Sequence, residues 1–237
     1  MTTAVVPLRD GVSGKSRLAA VLDAGSRRRL VRVLARHVVS TLLAADEIER
    51  VVVVTADPVF TRETLGGLAV EVLEQPADRP GLNGALEHAR EVLAADGTAA
   101  EADGPSRPRL LVAHADLPAL TPADVTALLA VEAPVVIATD RYRSGTNLLL
   151  VPFEAGVSSL SAAAKRRNSG LEAEGGFRFR FGVGSLAAHL AEADARGLEA
   201  SVVDRPGTAV DLDTADDWSQ LPAEVRSAVR HEVPELL

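Results

Sequence analysis

Apolar positions recur along this chain in two periods, and the change from one to the other marks out strands alternating with helices. Residues 4–7 are a short apolar run suited to a buried strand. From 26 to about 45, Leu30, Val33, Leu34, Val38 and Leu42 recur on one stripe at helical spacing. Arg27, Arg28, Arg29, Arg32 and Arg36 fall mainly on the polar side of that helix. Residues 51–55 are a β-branched run, as in a parallel strand buried on both faces, and Asp57-Pro58 ends it. A short strand is expected at 69–73. A helix is expected at 83–95, with Leu86, Ala89, Val92 and Leu93 on one face. Residues 110–113 read as a central strand stopped by Asp116-Leu117-Pro118. Thr121-Pro122-Ala123-Asp124 then starts a helix, with a cap residue, a proline in the first turn and an acid at the third position. Further strands are expected at 134–138, 148–151, 200–203 and 209–212. A helix at 186–196 ends at Gly197, and Thr214-Ala215-Asp216-Asp217 caps another short one.

Two stretches break the pattern. Residues 96–109, rich in Gly, Ala, Pro and charge, read as a mobile loop. Residues 154–176 are weakly periodic, contain Lys165-Arg166-Arg167-Asn168, and read as an inserted loop or a partly helical excursion. The stretch from Pro222 is amphipathic and could pack on the domain or on a second copy, so a homodimer stays open. No linker or internal repeat divides the chain, and one α/β domain over 1–237 with a mostly parallel sheet follows. Ligands of such sheets bind outside the carboxyl ends of the strands. Asp116 and the loop after Pro7 both fall there.

Composition narrows the function. Hydrophobic residues make up 47% of the 237 residues, enough for a full core. The formal net charge of −8 argues against nucleic-acid polymers and anionic membranes as partners, though not against nucleotides. Cysteine is absent, which removes disulfides, thiolate metal sites and a cysteine nucleophile. No secretory segment is read at Met1-Thr2-Thr3, and no apolar run reaches the ~20 residues that span a bilayer, so a soluble cytoplasmic protein is expected. The 23 arginines against 2 lysines reflect a high-GC genome more than a physical need.

Candidate chemistry centres on three aspartates. In a strand, residues i and i+2 face one way, so Asp211 and Asp213 would aim two carboxylates together while Leu212 points inward. With Asp116 they offer three hard oxygen donors of the kind that bind Mg²⁺ beside substrate phosphates. Gly11-Val12-Ser13-Gly14-Lys15-Ser16 resembles a phosphate-binding loop, but Arg9 stands where the full pattern needs glycine. A glycine loop with Arg9, Lys15 and Arg17 can still cradle a triphosphate. Asn83 reads first as a helix cap and second as a nucleotide contact. Gly145-Thr146-Asn147 supplies a turn, a hydroxyl and an amide. Ser185, after Gly182 and Gly184, could cap a helix or help its amides hold an anion. The five histidines show no metal-ligand spacing, and His114 reads as structural.

Six motifs occur in one order: Lys15-Ser16-Arg17-Leu18-Ala19, Gly81-Leu82-Asn83, Ala115-Asp116-Leu117-Pro118, Ser144-Gly145-Thr146-Asn147, Phe181-Gly182 with Ser185 and His189, and Asp211-Leu212-Asp213-Thr214. Over about residues 4–218 this series resembles the guanylyltransferases of coenzyme F420 biosynthesis, the family of 2-phospho-L-lactate and phosphoenolpyruvate guanylyltransferases. The resemblance implies a nucleotide-diphospho-sugar-transferase-like, Rossmann-like fold and transfer of GMP from GTP to a small phospho-acid, with release of pyrophosphate. It also implies Asp116, Asp211 and Asp213 as Mg²⁺ ligands, Lys15 and Arg17 over the triphosphate, Asn83 on the nucleotide side, and Thr146, Gly182 and Ser185 against the phospho-acid. Asp116, Lys15 and Arg17 would be the catalytic set. The high-GC composition favours phosphoenolpyruvate as acceptor. The alternatives are 2-phospho-L-lactate or 3-phosphoglycerate as acceptor, a sugar-phosphate or molybdopterin nucleotidyltransferase of the same fold, and a non-catalytic nucleotide-binding protein.

Overall fold

The computed structural model describes residues 2–9, 15–96, 108–153 and 176–236. The Gly11–Gly14 loop and most of the two irregular stretches lie outside them. The elements run β1 (Thr2–Leu8), α1 (Ala24–Leu43), β2 (Ile48–Thr55), α2 (Pro58–Leu65), β3 (Glu71–Glu74), α3 (Gly81–Ala95), β4 (Arg109–Ala113), α4 (Pro122–Leu129), β5 (Val135–Thr139), β6 (Thr146–Pro152), α5 (Ser185–Ala195), β7 (Ala200–Val203), α6 (Ala215–Gln220) and α7 (Ala223–Glu232). Seven strands form one sheet in the order β3-β2-β1-β4-β6-β5-β7. All neighbours are parallel except β6, which runs against both β4 and β5. The expected mixed, mostly parallel α/β sheet is present.

Strand alternation builds two core layers. Ala4, Val6, Leu111, Leu148 and Leu150 face α1, α2 and α4, while Val5, Leu110, Val112, Leu149 and Val151 face α3 and α5. Adjacent strand residues point to opposite faces, so a continuous apolar run is what a sheet covered on both sides requires. A third cluster joins Leu30 and Leu34 of α1 to Trp218, Val229, Val233 and Leu236. The amphipathic C-terminal stretch therefore packs on its own domain.

Three local expectations differ, and one helix was not expected. Asp57-Pro58 does end β2, and it also starts α2: the Asp57 carboxylate accepts from Phe60 N at 3.0 Å, and Pro58 fills the first turn. A carboxylate in that place contributes about 1 kcal/mol as a cap. Ser185 is the first residue of α5 rather than its cap, because Gly184 holds the cap position at φ 71°. Asn83 likewise lies inside α3, whose cap is Pro80. Residues 209–212 are not a strand. They follow a single 3₁₀ turn at Pro206–Thr208 and bury Val210 and Leu212 in the third cluster instead of joining the sheet.

One segment looks like a strand and pairs with none among the described residues. Phe177, Phe179 and Phe181 are buried while Arg178 and Arg180 are exposed. Its backbone N–H groups are satisfied by side chains of α3 and α5. Arg178 N donates to Glu192, Phe179 N to Glu87, Arg180 N to His189 Nε2 at 3.0 Å, and Phe181 N to Asn83 Oδ1 at 2.9 Å. Buried amides need partners, and here two helices supply them.

Candidate active site

The chain leaves β1 toward β2 and β3, then returns to the other side of β1 as β4. The carboxyl ends of β1 and β4 thus form the sheet's topological switch point, where open α/β folds bind ligands. A cleft of about 1180 Å³ opens there. Its walls carry His114, Ala115 and Asp116 after β4, Pro7, Leu8 and Arg9 at β1, Val54 and Ala56 at β2, and Glu74, Gln75 and Pro76 at β3. Four adjacent strand ends span roughly 14 Å, three strand spacings. Lys15, Arg17, Leu82 and Asp213 close the rest.

Asp116, Asp211 and Asp213 each offer a carboxylate oxygen within 4.8 Å of the others. The convergence expected from a strand is produced by a turn. Leu212 N donates to the carbonyl of Asp116 at 3.0 Å, and Asp213 N donates back to Asp211 O at 3.1 Å. That three-residue turn puts both side chains beside Asp116. The preceding bend is fixed by Asn147, which donates to Thr208 O at 2.8 Å, and by Arg205, which pairs with Asp124 at 3.2 Å. Gly207 fills a place where a Cβ would stand 2.1 Å from Asp124 Oδ2 and 2.7 Å from Ala119 O, so no side chain fits.

The ammonium of Lys15 lies 2.5 Å from Asp116 and 2.6 Å from Asp213. Its backbone is left-handed at φ 57°, a strained state for a residue with a side chain and one that clusters at functional sites. Burial works against the Lys15 charge, but the fields of Asp116 and Asp213 and their hydrogen bonds outweigh it and hold the pKa above the ordinary lysine value. Burial likewise opposes ionisation of Asp116. Lys15 and His114 reverse this and hold Asp116 below the usual carboxylate value. Asp211 is pushed up, first by burial and then by repulsion from Asp116 and Asp213. Asp116 Oδ1 is buried and bonded to nothing among the described residues. Three crowded carboxylates, one with an orphaned oxygen, fit the hard-oxygen ligand set of a divalent cation such as Mg²⁺.

The remaining expected residues form a neighbouring group. Thr146 Oγ1 bonds His189 Nδ1 at 2.9 Å, Ser185 N donates to Gly182 O at 3.2 Å, and Leu186 N donates to Ser144 O at 3.1 Å. Thr146 and Ser185 are buried, and Gly182 holds φ 143°. These three stand together beside the start of α5, outside the lining of the large cleft. The Asn83 amide donates to Phe181 O at 3.0 Å and accepts from Phe181 N. It is neither a cap nor part of the cleft wall, and it fixes the turn that carries Gly182. Of two further cleft residues, Glu74 escapes the sequence reading and His114 reads there as structural. Glu74 gave no signal beyond its place at the end of a strand. His114 stands just past the end of β4, two residues before Asp116, and lines the cleft with it.

The fold is the one seen in solved structures of nucleotide-diphospho-sugar and nucleotidyl transferases. A chain from Desulfovibrio desulfuricans, provisionally assigned as a nucleotide-diphospho-sugar transferase, superposes with TM-score 0.67 at 14% identity, covering 99% of this chain and 96% of that one. A nucleotidyl transferase from Methanothermobacter thermautotrophicus gives 0.58 at 19% identity, covering 98% of each chain. The family described as guanylyl transferase CofC like matches residues 2–160. Phosphoenolpyruvate guanylyltransferase of Rubrobacter xylanophilus is 38% identical over 93% of both chains. 2-Phospho-L-lactate guanylyltransferase of Methanothermobacter thermautotrophicus is 31% identical over 93% of this chain and 83% of its own. This chain belongs to the CofC-like guanylyl transferase family.

Proposed function

We propose that this protein transfers GMP from GTP to phosphoenolpyruvate, releasing pyrophosphate, as a step of coenzyme F420 biosynthesis in the cytoplasm. The observation that carries the reading is the meeting of Asp116, Asp211 and Asp213 with Lys15 at the switch-point cleft. Family membership supports it. Phosphoenolpyruvate is favoured over 2-phospho-L-lactate because relatives at 34–38% identity over 93% of this chain carry the former name. No helix among the described residues is long and apolar enough to cross a membrane.

In this reading an oxygen of the acceptor phosphate attacks the α-phosphorus of GTP, and the bond from that phosphorus to the bridging oxygen of the β-phosphate breaks. Mg²⁺, when bound by the three aspartates, neutralises charge on the reacting phosphates. Lys15 and Arg17 hold the triphosphate against the carboxyl ends of β1 and β4. The acceptor is already ionised, so no side chain need remove its proton. Position and electrostatics carry the reaction. Thr146, Gly182 and Ser185 form the acceptor's side of the site. At the far end of the cleft, Glu74 is an acidic group where a base would lie, and it suits the N–H donors of guanine. The test is pyrophosphate release with GTP and Mg²⁺ in the presence of phosphoenolpyruvate, 2-phospho-L-lactate or 3-phosphoglycerate. Release with phosphoenolpyruvate is expected. Release with none of them sinks the reading.

A further inference from the structure

We propose that His114 is an acceptor-binding residue, its imidazole donating a hydrogen bond to an anionic oxygen of the phospho-acid between the three aspartates and the Gly182 turn. The inference rests on the guanylyltransferase reading and adds a nitrogen donor to the hydroxyls of Thr146 and Ser185. A phospho-acid presents only acceptor oxygens, and three carboxylates repel it. Lys15 is bound to Asp116 and Asp213. A further donor is needed on the acceptor's side.

His114 stands at that place. It lines the cleft together with Asp116. Its other side packs on Phe181, with ring centroids 5.2 Å apart, and Phe181 leads into Gly182. Phe181 in turn meets His189 edge-on at 4.7 Å, and His189 holds Thr146. The His114 backbone N–H donates to Asn147 O at 3.1 Å, fixing it beside the Thr146 strand. His114 thus joins the aspartate cluster to the acceptor wall. Its Nε2 is buried without a hydrogen-bond partner among the described residues. A buried polar nitrogen left unpaired is costly and calls for a reason. A ligand-binding histidine is left with such capacity to spare.

The test compares wild type with His114→Phe, which keeps the packing on Phe181 and removes the donors, and His114→Gln, which restores a donor. His114→Leu is a second apolar variant should Phe fail to fold. Phosphoenolpyruvate and GTP are varied separately, with the other at saturation. Loss of a hydrogen bond to a charged group predicts a rise in acceptor KM of about ten- to a hundredfold. The KM for GTP should stay within about twofold, and His114→Gln should recover part of the loss. Unchanged acceptor KM in the apolar variants, or an equal rise in both KM values, overturns the inference while leaving guanylyl transfer standing. Wild type without transfer to any phospho-acid defeats the underlying reading and this inference with it.

Discussion

His189 should make stability fall with acid in a measurable and separable way. It is fully buried on α5, and Arg180 N donates to its Nε2. Nε2 is therefore a lone-pair acceptor, and the proton sits on Nδ1, which donates to Thr146 Oγ1. Burial, with help from the charges of His114 and Arg180 and against Glu192, lowers its pKa from 6.5 to about 4. Protonation would set a new N–H against the Arg180 amide. Unfolded chain takes up this proton near pH 6.5 and folded chain only near 4, so the contribution is complete above 6.5 and is lost as pH falls between them. Linkage gives a loss of about 2 kcal/mol from pH 7 to pH 5, and about 3 kcal/mol by pH 4. For a domain of this size, the latter corresponds to roughly 6–12 °C in Tm. His189→Gln keeps an acceptor for Arg180 and a donor for Thr146 but cannot titrate. Urea unfolding of both proteins at pH 7, 6, 5 and 4 isolates the effect, since all other groups cancel. The wild-type curve should drop below that of the variant by the stated amounts. Parallel curves across this range would refute the buried neutral tautomer.

Three further outcomes follow from the site. Asp116→Asn should reduce transfer by more than the ~10–100-fold that loss of a metal's outer-shell partner costs, and should weaken Mn²⁺ binding measured by electron paramagnetic resonance; wild-type turnover would remove Asp116 from the site. Gly207→Ala should lower Tm and activity together, because a Cβ there meets Asp124 and the Ala119 carbonyl and displaces the chain that brings Asp211 and Asp213 to the cleft; an unshifted Tm would show that the bend has room. Glu74→Gln should bring the kcat/KM values for GTP and ITP closer together, since ITP lacks the 2-amino donor of guanine; an unchanged ratio would place base selection elsewhere.

The sheet was legible because its strands are buried on both faces and read as continuous apolar runs, as at Val51–Val54. The helix starts at Thr121 and Thr214 were legible because both form capping boxes, with Asp124 and Asp217 answering from the third position. Asp57-Pro58 both stops β2 and caps α2, and the strand-stopping signal masks the helix start. Residues 209–212 misled because Val210 and Leu212 alternate as strand residues do. Their burial comes from packing on α1 and the C-terminal helices, and alternation alone does not say which surface covers a residue. The Phe177–Phe181 segment shows the same ambiguity, with period two and no ladder. Of the site, the three aspartates were readable as a set because strand pleat and the observed turn both bring i and i+2 together. Lys15 at Asp116 and Asp213 was not, since that contact spans 101 and 198 residues of chain. His114 reads as structural in the sequence because a lone histidine carries no spacing signal. Its unpaired nitrogen is visible only once Phe181 and the aspartates surround it.

The most direct test of the account follows GTP labelled at the α-phosphorus, incubated with the wild-type protein, Mg²⁺ and phosphoenolpyruvate. The account predicts that label moves into a phosphoenolpyruvate–GMP conjugate joined through a diphosphate, in step with pyrophosphate and only when the acceptor is present. Label that stays in GTP, or passes to GDP or free GMP regardless of acceptor, would contradict it.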